Sequence, residues 1–142
     1  MANALMTSFR NGILGSHATR VDLDADTIKA MFVDATDDVP VAATDDFIDD
    51  IISAGRIPAI ASCPTLGTKT IGTVAAGVFD AVDATFTSLT GDQAEYLILF
   101  KDSGVEGTSD LICMWDTATG IPLTPNGGNV TVVWNASGIL QV

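Results

Sequence analysis

The amino-acid sequence predicts an all-β protein: an antiparallel β-sandwich, jelly-roll-like, with one or two short helices near the N-terminus. From residue 56 onward, short apolar runs recur about every 10 to 15 residues, and Gly, Asp, Asn and Pro residues separate them. This spacing is typical of sandwiches and barrels, whereas βαβ proteins alternate strands with longer helical patterns. Only two of the 18 acidic residues are Glu. Asp favours turns and strand ends over exposed helices, because its short side chain bonds to nearby backbone.

Residues 1–16 are predicted to form an N-terminal helix or arm, and residues 17–142 a single sandwich domain. Leu5, Met6 and Phe9 fit the spacing of an amphipathic helix, and a stretch that contains two glycines follows them. Such a helix can act as an arm that docks on a partner. It can equally pack on its own sandwich and plug one end of the core, and the pattern favours neither interpretation.

A strand is predicted within residues 27–34 and a second short helix over residues 44–52. The second prediction rests on apolar side chains at helical spacing and on acids in the first turn, which suit the helix dipole. Four carboxylates would then share one polar face: Asp45, Asp46, Asp49 and Asp50. A solvated face is the simplest interpretation, and a docking surface for a basic partner comes second. Catalysis would need carboxyls that converge across a cleft.

Further strands are predicted within residues 56–61, 68–74, 78–86, 94–101, 111–116 and 130–134, with a terminal strand or tail at 137–142. The run at 94–101 is the clearest of them, because apolar and aromatic residues fill it and a turn closes it. Pro58 interrupts the first run and donates no backbone hydrogen bond, so that strand is expected at a sheet edge.

The composition narrows the class of protein. The formal net charge is -12 and the isoelectric point is near 4.1, so binding to nucleic acid is not expected, because phosphates attract cations. A hydrophobic content of 47% and a mean hydropathy of +0.38 supply a core, which argues against a disordered chain. No run has the length of a transmembrane helix, and no signal peptide is evident. We therefore expect a soluble protein made in a cytoplasm, with no membrane partner.

No segment carries the pattern of a reactive centre, so neither enzymatic activity nor a cofactor is predicted. The best metal candidate is the run of Asp22, Asp24 and Asp26, which resembles the start of a calcium loop. Thr27 stands where that loop needs glycine, and Val33 stands where it needs a bidentate Glu. A solvated turn is the simpler interpretation.

The remaining chemically interesting residues also favour ordinary roles. His17 is the only histidine, and no Gly-x-Ser-x-Gly elbow surrounds its neighbour Ser16, so a loop residue is expected. Lys69 lacks the spacing of a phosphate loop and is predicted to be an exposed charge on a strand. Cys63 and Cys113 lie in apolar surroundings and are predicted to be buried, inert thiols, although a bridge between them stays open.

Six segments, made of turns and strand starts, follow one another along the chain: MANAL (1–5), DTIKA (26–30), GVFDAVDATF (77–86), TGDQAE (90–95), DTATG (116–120) and TPNGG (124–128). In this order they resemble a family of small structural proteins encoded in the head-morphogenesis region of tailed bacteriophages. The resemblance implies a capsid cement (decoration) protein with a β-sandwich or jelly-roll fold. It also implies the major capsid protein as partner, self-association on the shell as a dimer or trimer, and a place on the capsid exterior. No catalytic or ligand residue carries over.

This implied role agrees with an acidic chain that must stay soluble before assembly and avoid packaged DNA. The candidate interaction residues are Leu5, Met6, Phe9, Asp45, Asp46, Asp49 and Asp50. The alternative is a tail-side structural component, either a head–tail connector or a tail-associated subunit, which shares the small, acidic, β-rich profile. A carbohydrate-binding module would need exposed aromatic platforms, and Trp115 and Trp134 on apolar strands are more simply core anchors.

Overall fold

A computed structural model describes residues 3–15 and 21–142 of the chain, which are mainly β structure with antiparallel pairing throughout. In chain order the elements are β1 (Ala4–Leu5), α1 (Thr7–Ile13), β2 (Ile28–Val33), β3 (Arg56–Ile57), β4 (Thr70–Ile71), β5 (Val78–Asp80), β6 (Ala84–Phe86), β7 (Tyr96–Lys101), β8 (Leu111–Trp115), β9 (Val130–Val132) and β10 (Leu140–Gln141). Short 3-10 helices lie at Ile48–Asp50, Ser53–Gly55, Ile60–Ser62 and Glu106–Thr108. The predicted all-β, antiparallel, sandwich-like fold is confirmed, with one α-helix over the described ranges. The jelly-roll connectivity stays a prediction.

The main sheet has the strand order β1-β8-β7-β2-β3 within the described residues. Its central strands β8, β7 and β2 are nearly continuous apolar runs, and they are buried except at Lys29, Lys101 and Trp115. Such strands lack the polar alternation of a surface strand, because other elements cover both of their faces. The main sheet therefore forms the centre of the core.

Two smaller sheets complete the fold: the small sheet, with the order β10-β5-β4, and the ladder of β6 with β9. Phe32, Leu97 and Trp115 are successive cross-strand neighbours, so their side chains lie on one face of the main sheet. On that face the rings of Phe32 and Phe86 lie 4.6 Å apart between centroids, and those of Trp115 and Trp134 lie 5.8 Å apart. The β6–β9 ladder therefore stacks on this face, which gives the sandwich-like arrangement.

The opposite face of the main sheet carries Met31 and Val33, and Val33 is the cross-strand neighbour of Arg56. The guanidinium of Arg56 donates hydrogen bonds to the carbonyl oxygens of Ile51 and Ile48, at 2.7 and 2.9 Å. Both isoleucines are fully buried. Arg56 thus fastens the segment around the first 3-10 helices to this side of the sheet.

The N-terminal segment packs on its own domain. β1 pairs with β8, and the backbone N–H of Met6 donates to the carbonyl oxygen of Ile112 at 2.9 Å. Met6 is 1% exposed and Phe9 is 6% exposed. Met6 and Phe9 are therefore packed against the chain's own core, which agrees with the plug interpretation, and the choice between plug and arm stays a prediction. Pairing with β8 is the physical reason, because it anchors the segment to the edge of the main sheet.

The predicted helix over residues 44–52 is wrong. Phe47 is extended and forms an isolated bridge with Asp110, and only the 3-10 helix Ile48–Asp50 follows it. The carboxylate of Asp50 accepts hydrogen bonds from the backbone N–H groups of Asp46 and Phe47, at 2.9 and 3.1 Å. Asp side chains compete with helix for backbone donors in this way, and here they hold a turn.

The strands agree with the predicted runs in place, although most are shorter. The expectation for Pro58 is confirmed, because β3 ends directly before it and lies at an edge of the main sheet. The terminal run contains a strand, β10, which pairs with β5. Among the described residues, no helix has the length and apolar character needed to cross a membrane.

Replacing Phe9 by Ala should lower the free energy of unfolding by about 3–5 kcal/mol, because it removes a buried aromatic ring from the core. Urea denaturation followed by circular dichroism measures the change. The matched control is Leu14→Ala, five residues further along the chain on a side chain that is 84% exposed, which should change the free energy by less than about 0.5 kcal/mol. Equal effects for the two variants would contradict the plug interpretation.

Candidate docking groove and acidic surface

An open groove of about 400 Å³ lies between α1 and the small sheet. Six apolar side chains form most of it: Phe9, Ile13, Ile71, Phe79, Leu140 and Val142. Val21 and Leu23 also line it, and Asp22 is the one polar side chain among the described lining residues. We call this feature the apolar groove.

The small sheet supplies one wall of the apolar groove. Phe79 of β5 is the cross-strand neighbour of both Ile71 in β4 and Leu140 in β10, so the three side chains lie on the same face. Phe9 and Ile13 stand four residues apart on α1, which places them on one side of the helix. The groove is therefore an incompletely filled space between a helix face and a sheet face.

The floor and rim of the apolar groove differ in exposure. Phe79 is 1% exposed at the floor, whereas Ile13, Ile71 and Val142 at the rim are 51%, 54% and 65% exposed. Aliphatic side chains that share one concave surface in contact with water are typical of a site that binds another molecule. The groove can hold apolar side chains, and Asp22 is the one ionisable side chain among its described lining residues.

Of the interaction residues predicted from the N-terminal stripe, Phe9 alone belongs to the apolar groove, as part of its wall. Leu5 is half-buried beside Cys113 on β8, and Met6 is buried. The chain's own sheet covers Met6 fully and Leu5 in part, and an interaction role for these two residues stays a prediction. The neighbouring Ile13 and the distant Ile71 take their place as exposed apolar residues.

The four acids predicted to share a helical face do not do so, since the helix is absent. Asp45 accepts a hydrogen bond from the backbone N–H of Val41 at 2.7 Å, and Asp50 holds the following turn as described above. Asp49 is exposed and lies beside Gly107, where an added Cβ atom would stand 3.1 Å from its carboxylate. The carboxylates of Asp45 and Asp50 thus stabilise turns, and a docking role for the four acids stays a prediction.

Two of the three acids of the predicted calcium-like run, Asp22 and Asp26, accept hydrogen bonds from the backbone of their own loop. Asp22 accepts hydrogen bonds from the backbone N–H groups of Asp24 and Ala25, at 3.1 and 3.0 Å. Asp26 accepts one from the N–H of Asp22 at 2.8 Å and forms an ion pair with Lys101 at 3.1 Å. This arrangement is the turn that the simpler interpretation predicts.

A different group of acids comes together where β2 ends. Carboxylate oxygens of Asp34, Asp37 and Asp92 lie within 4.8 Å of one another, and Asp34 is buried. The Asp34 carboxylate accepts a hydrogen bond from the N–H of Thr36 at 2.7 Å. Three carboxylates in this geometry are able to bind a cation, although exposed acids often cluster without one. The sequence gives no local signal for this group, because Asp92 is distant along the chain.

Most of the described basic side chains are used inside the molecule. Lys29 pairs with Asp102 at 2.7 Å, and Arg56 pairs with Glu106 at 2.9 Å. The hydrogen bond from Lys29 lowers the pKa of Asp102, and the one from Arg56 lowers the pKa of Glu106. Since these cations are occupied, the remaining carboxylates dominate the electrostatic field of the surface.

The prediction that Lys69 is an exposed charge on a strand is wrong. Its side chain is half-buried directly before β4, and its ammonium group donates a hydrogen bond to the backbone carbonyl oxygen of Asp26. The long side chain of lysine can reach a carbonyl oxygen of another segment, and that oxygen accepts a hydrogen bond from the ammonium group. His17 lies outside the described residues.

Both cysteines are buried, free thiols, which confirms the leading interpretation of the sequence. Cys113 lies in β8 at the centre of the main sheet, and Cys63 follows the 3-10 helix Ile60–Ser62. Burial raises the pKa of the Cys63 thiol to about 12, from an ordinary value of 9.0. Burial also raises the pKa of Cys113. Thiols with raised pKa values are poor nucleophiles at neutral pH.

No family model matches the chain in comparisons with known proteins, and no curated protein sequence matches it either. What the chain does is therefore inferred from the apolar groove, the charge and the resemblance of its turn segments.

The raised thiol pKa values predict how stability depends on pH. The unfolded thiols ionise near pH 9, whereas the folded thiols stay protonated to a higher pH, so the folded state holds more protons above pH 9. The titration of these thiols should therefore leave the free energy of unfolding independent of pH near neutrality. It should lower the free energy of unfolding as the pH rises beyond about 9. Urea denaturation at a series of pH values measures it. The double variant Cys63→Ala, Cys113→Ala should lose less stability over the alkaline range than the wild type does. If the free energy of unfolding falls with pH equally steeply in both proteins, the two thiols do not cause the decrease.

Proposed function

We propose that this chain is a non-enzymatic virion structural protein, a capsid cement (decoration) protein that binds the major capsid protein of a tailed bacteriophage. The observation that carries the proposal is the apolar groove, an exposed aliphatic surface on an otherwise strongly acidic domain. An exposed concave apolar surface favours a protein partner. The resemblance of six segments to small head-region phage proteins supports the choice of partner.

The charge of the chain supports a place on the capsid exterior. A net charge of -12 repels packaged DNA, and it steers the protein toward basic patches on another surface. The protein would be made in the host cytoplasm and then join the shell, where neighbouring copies form a dimer or trimer. No enzymatic step and no cofactor enters this proposal.

The self-contained core suits a protein that folds before it docks. The stripe formed by Met6 and Phe9 is buried in the absence of a partner, and the main sheet has both faces covered. A cement protein of this kind binds as a preformed domain, so assembly does not have to compensate the entropy of folding a large segment.

The number of copies per virion tests the proposal. A cement protein caps every local junction of the shell, so its copy number should be comparable to that of the major capsid protein. Quantitative mass spectrometry of purified virions measures the ratio, with the portal protein of the same particles as the internal standard for a single ring. A copy number equal to one ring would identify a tail-side component, such as a connector, and would overturn the cement role. Absence from the virion would overturn both.

A further inference from the structure

We infer that the apolar groove binds an extended peptide segment of another protein, in which aliphatic side chains are flanked by Lys or Arg. This inference deepens the proposed function and takes its biological setting from it, since it names the chemistry that the major capsid protein would present. It assigns the binding role to the surface between α1 and the small sheet, where Phe9 is the one lining residue that the sequence also indicated.

The aliphatic part of the segment follows from the groove's lining. Exposed side chains of Ile13, Ile71 and Val142 surround a floor that contains the buried Phe79. A polar small molecule would find one polar side chain there, Asp22, to orient it. Aliphatic side chains of a partner would instead remove the whole rim from water, which is the main favourable term in such an association.

The edges of the small sheet favour an extended conformation for the bound peptide segment. β4 and β10 are the two edge strands of the small sheet over the described residues, and they contribute Ile71 and Leu140 to the groove. The outer backbone groups of an edge strand are open to pairing with an added strand. An extended segment can therefore pair with an edge while its alternate side chains enter the groove.

The charge of the segment follows from the acids beside the groove. Asp22 lines it, and Asp24 is exposed on the same loop. No Lys or Arg lines the groove among the described residues. Flanking cations on the partner would therefore meet a complementary field, which speeds association and selects against acidic segments.

Two other occupants fit less well. A second copy of the chain would bring another net charge of -12 to an already acidic surface, and this repulsion opposes pairing. The stretch at positions 16–20, which joins Gly15 to Val21, reads Ser-His-Ala-Thr-Arg, and its apolar material is limited to the methyl groups of Ala18 and Thr19. It contains no large aliphatic side chain that could fill the groove.

The test uses the full chain and a fluorescein-labelled synthetic peptide, Lys-Lys-Val-Thr-Ile-Thr-Val-Lys-Lys, with binding followed by fluorescence anisotropy. Ile71→Ser should weaken binding by roughly tenfold, because it removes an aliphatic contact from the rim. The matched control is Val105→Ser, at a side chain that is 62% exposed and outside the groove, and its affinity should equal that of the wild type. If Ile71→Ser is not folded by circular dichroism, Ile13→Ser replaces it on the helix side of the rim.

Four results would overturn the inference. The wild type fails to bind the peptide, or Ile71→Ser binds it as tightly as the wild type does. A peptide with Glu in place of every Lys binds as tightly as the original, which would remove the charge requirement. Sedimentation shows a wild-type dimer that Ile71→Ser abolishes, which would make a second copy the occupant.

A parallel assay separates this inference from the proposed function. Shells of the major capsid protein that lack this chain are incubated with the wild type and with Ile71→Ser, and bound protein is measured after sedimentation. Binding of the wild type alone supports both proposals. Equal binding of the two proteins keeps the cement role and overturns the groove as its docking site. A wild type that binds the peptide and ignores the shells keeps the groove's chemistry and overturns the cement role.

Discussion

The pairing of β2 with β7 is the interaction on which the rest of the structure depends. Six residue pairs join these strands, and every other strand of the main sheet is attached to one of them or to β8. A shift of the register by one residue would exchange the two faces of the sheet. Two ion pairs oppose such a shift at one end of the ladder: Lys29 with Asp102, and Lys101 with Asp26. By strand alternation Lys29 and Lys101 point to opposite faces, so the register is fixed from both sides.

The sequence predicts the parts of the fold in which local pattern and tertiary packing agree. The runs that became β7 and β8 are apolar, bounded by turns and buried, so their assignment needs no knowledge of the partners. In the segment at 44–52, local pattern and tertiary packing disagree. Its apolar spacing fits a helix, but hydrogen bonds from backbone N–H groups to Asp50 stabilise a turn instead, and this competition leaves no trace in the spacing.

The candidate site was harder to predict than the fold, because it is assembled from distant parts of the chain. Phe9, Ile71 and Leu140 meet only after the small sheet has formed beside α1. The N-terminal stripe did indicate apolar surface that something must cover, but it gave no information on what covers it. Pairing of β1 with β8 uses most of that surface for stability and leaves the end near Ile13 exposed to solvent. One short helix thus contributes both to the core and to the proposed binding groove.

Gly138 restricts how this protein can diverge. Its φ is 100°, and an added Cβ atom would lie 2.2 Å from the side chain of Val78, so any other residue would be strained and would force Val78 or β10 to shift. The wall of the apolar groove that carries Leu140 adjoins this close approach. The solvent-exposed aliphatic residues around the opening can therefore change without such strain, whereas the position that holds the last strand against its neighbour favours glycine.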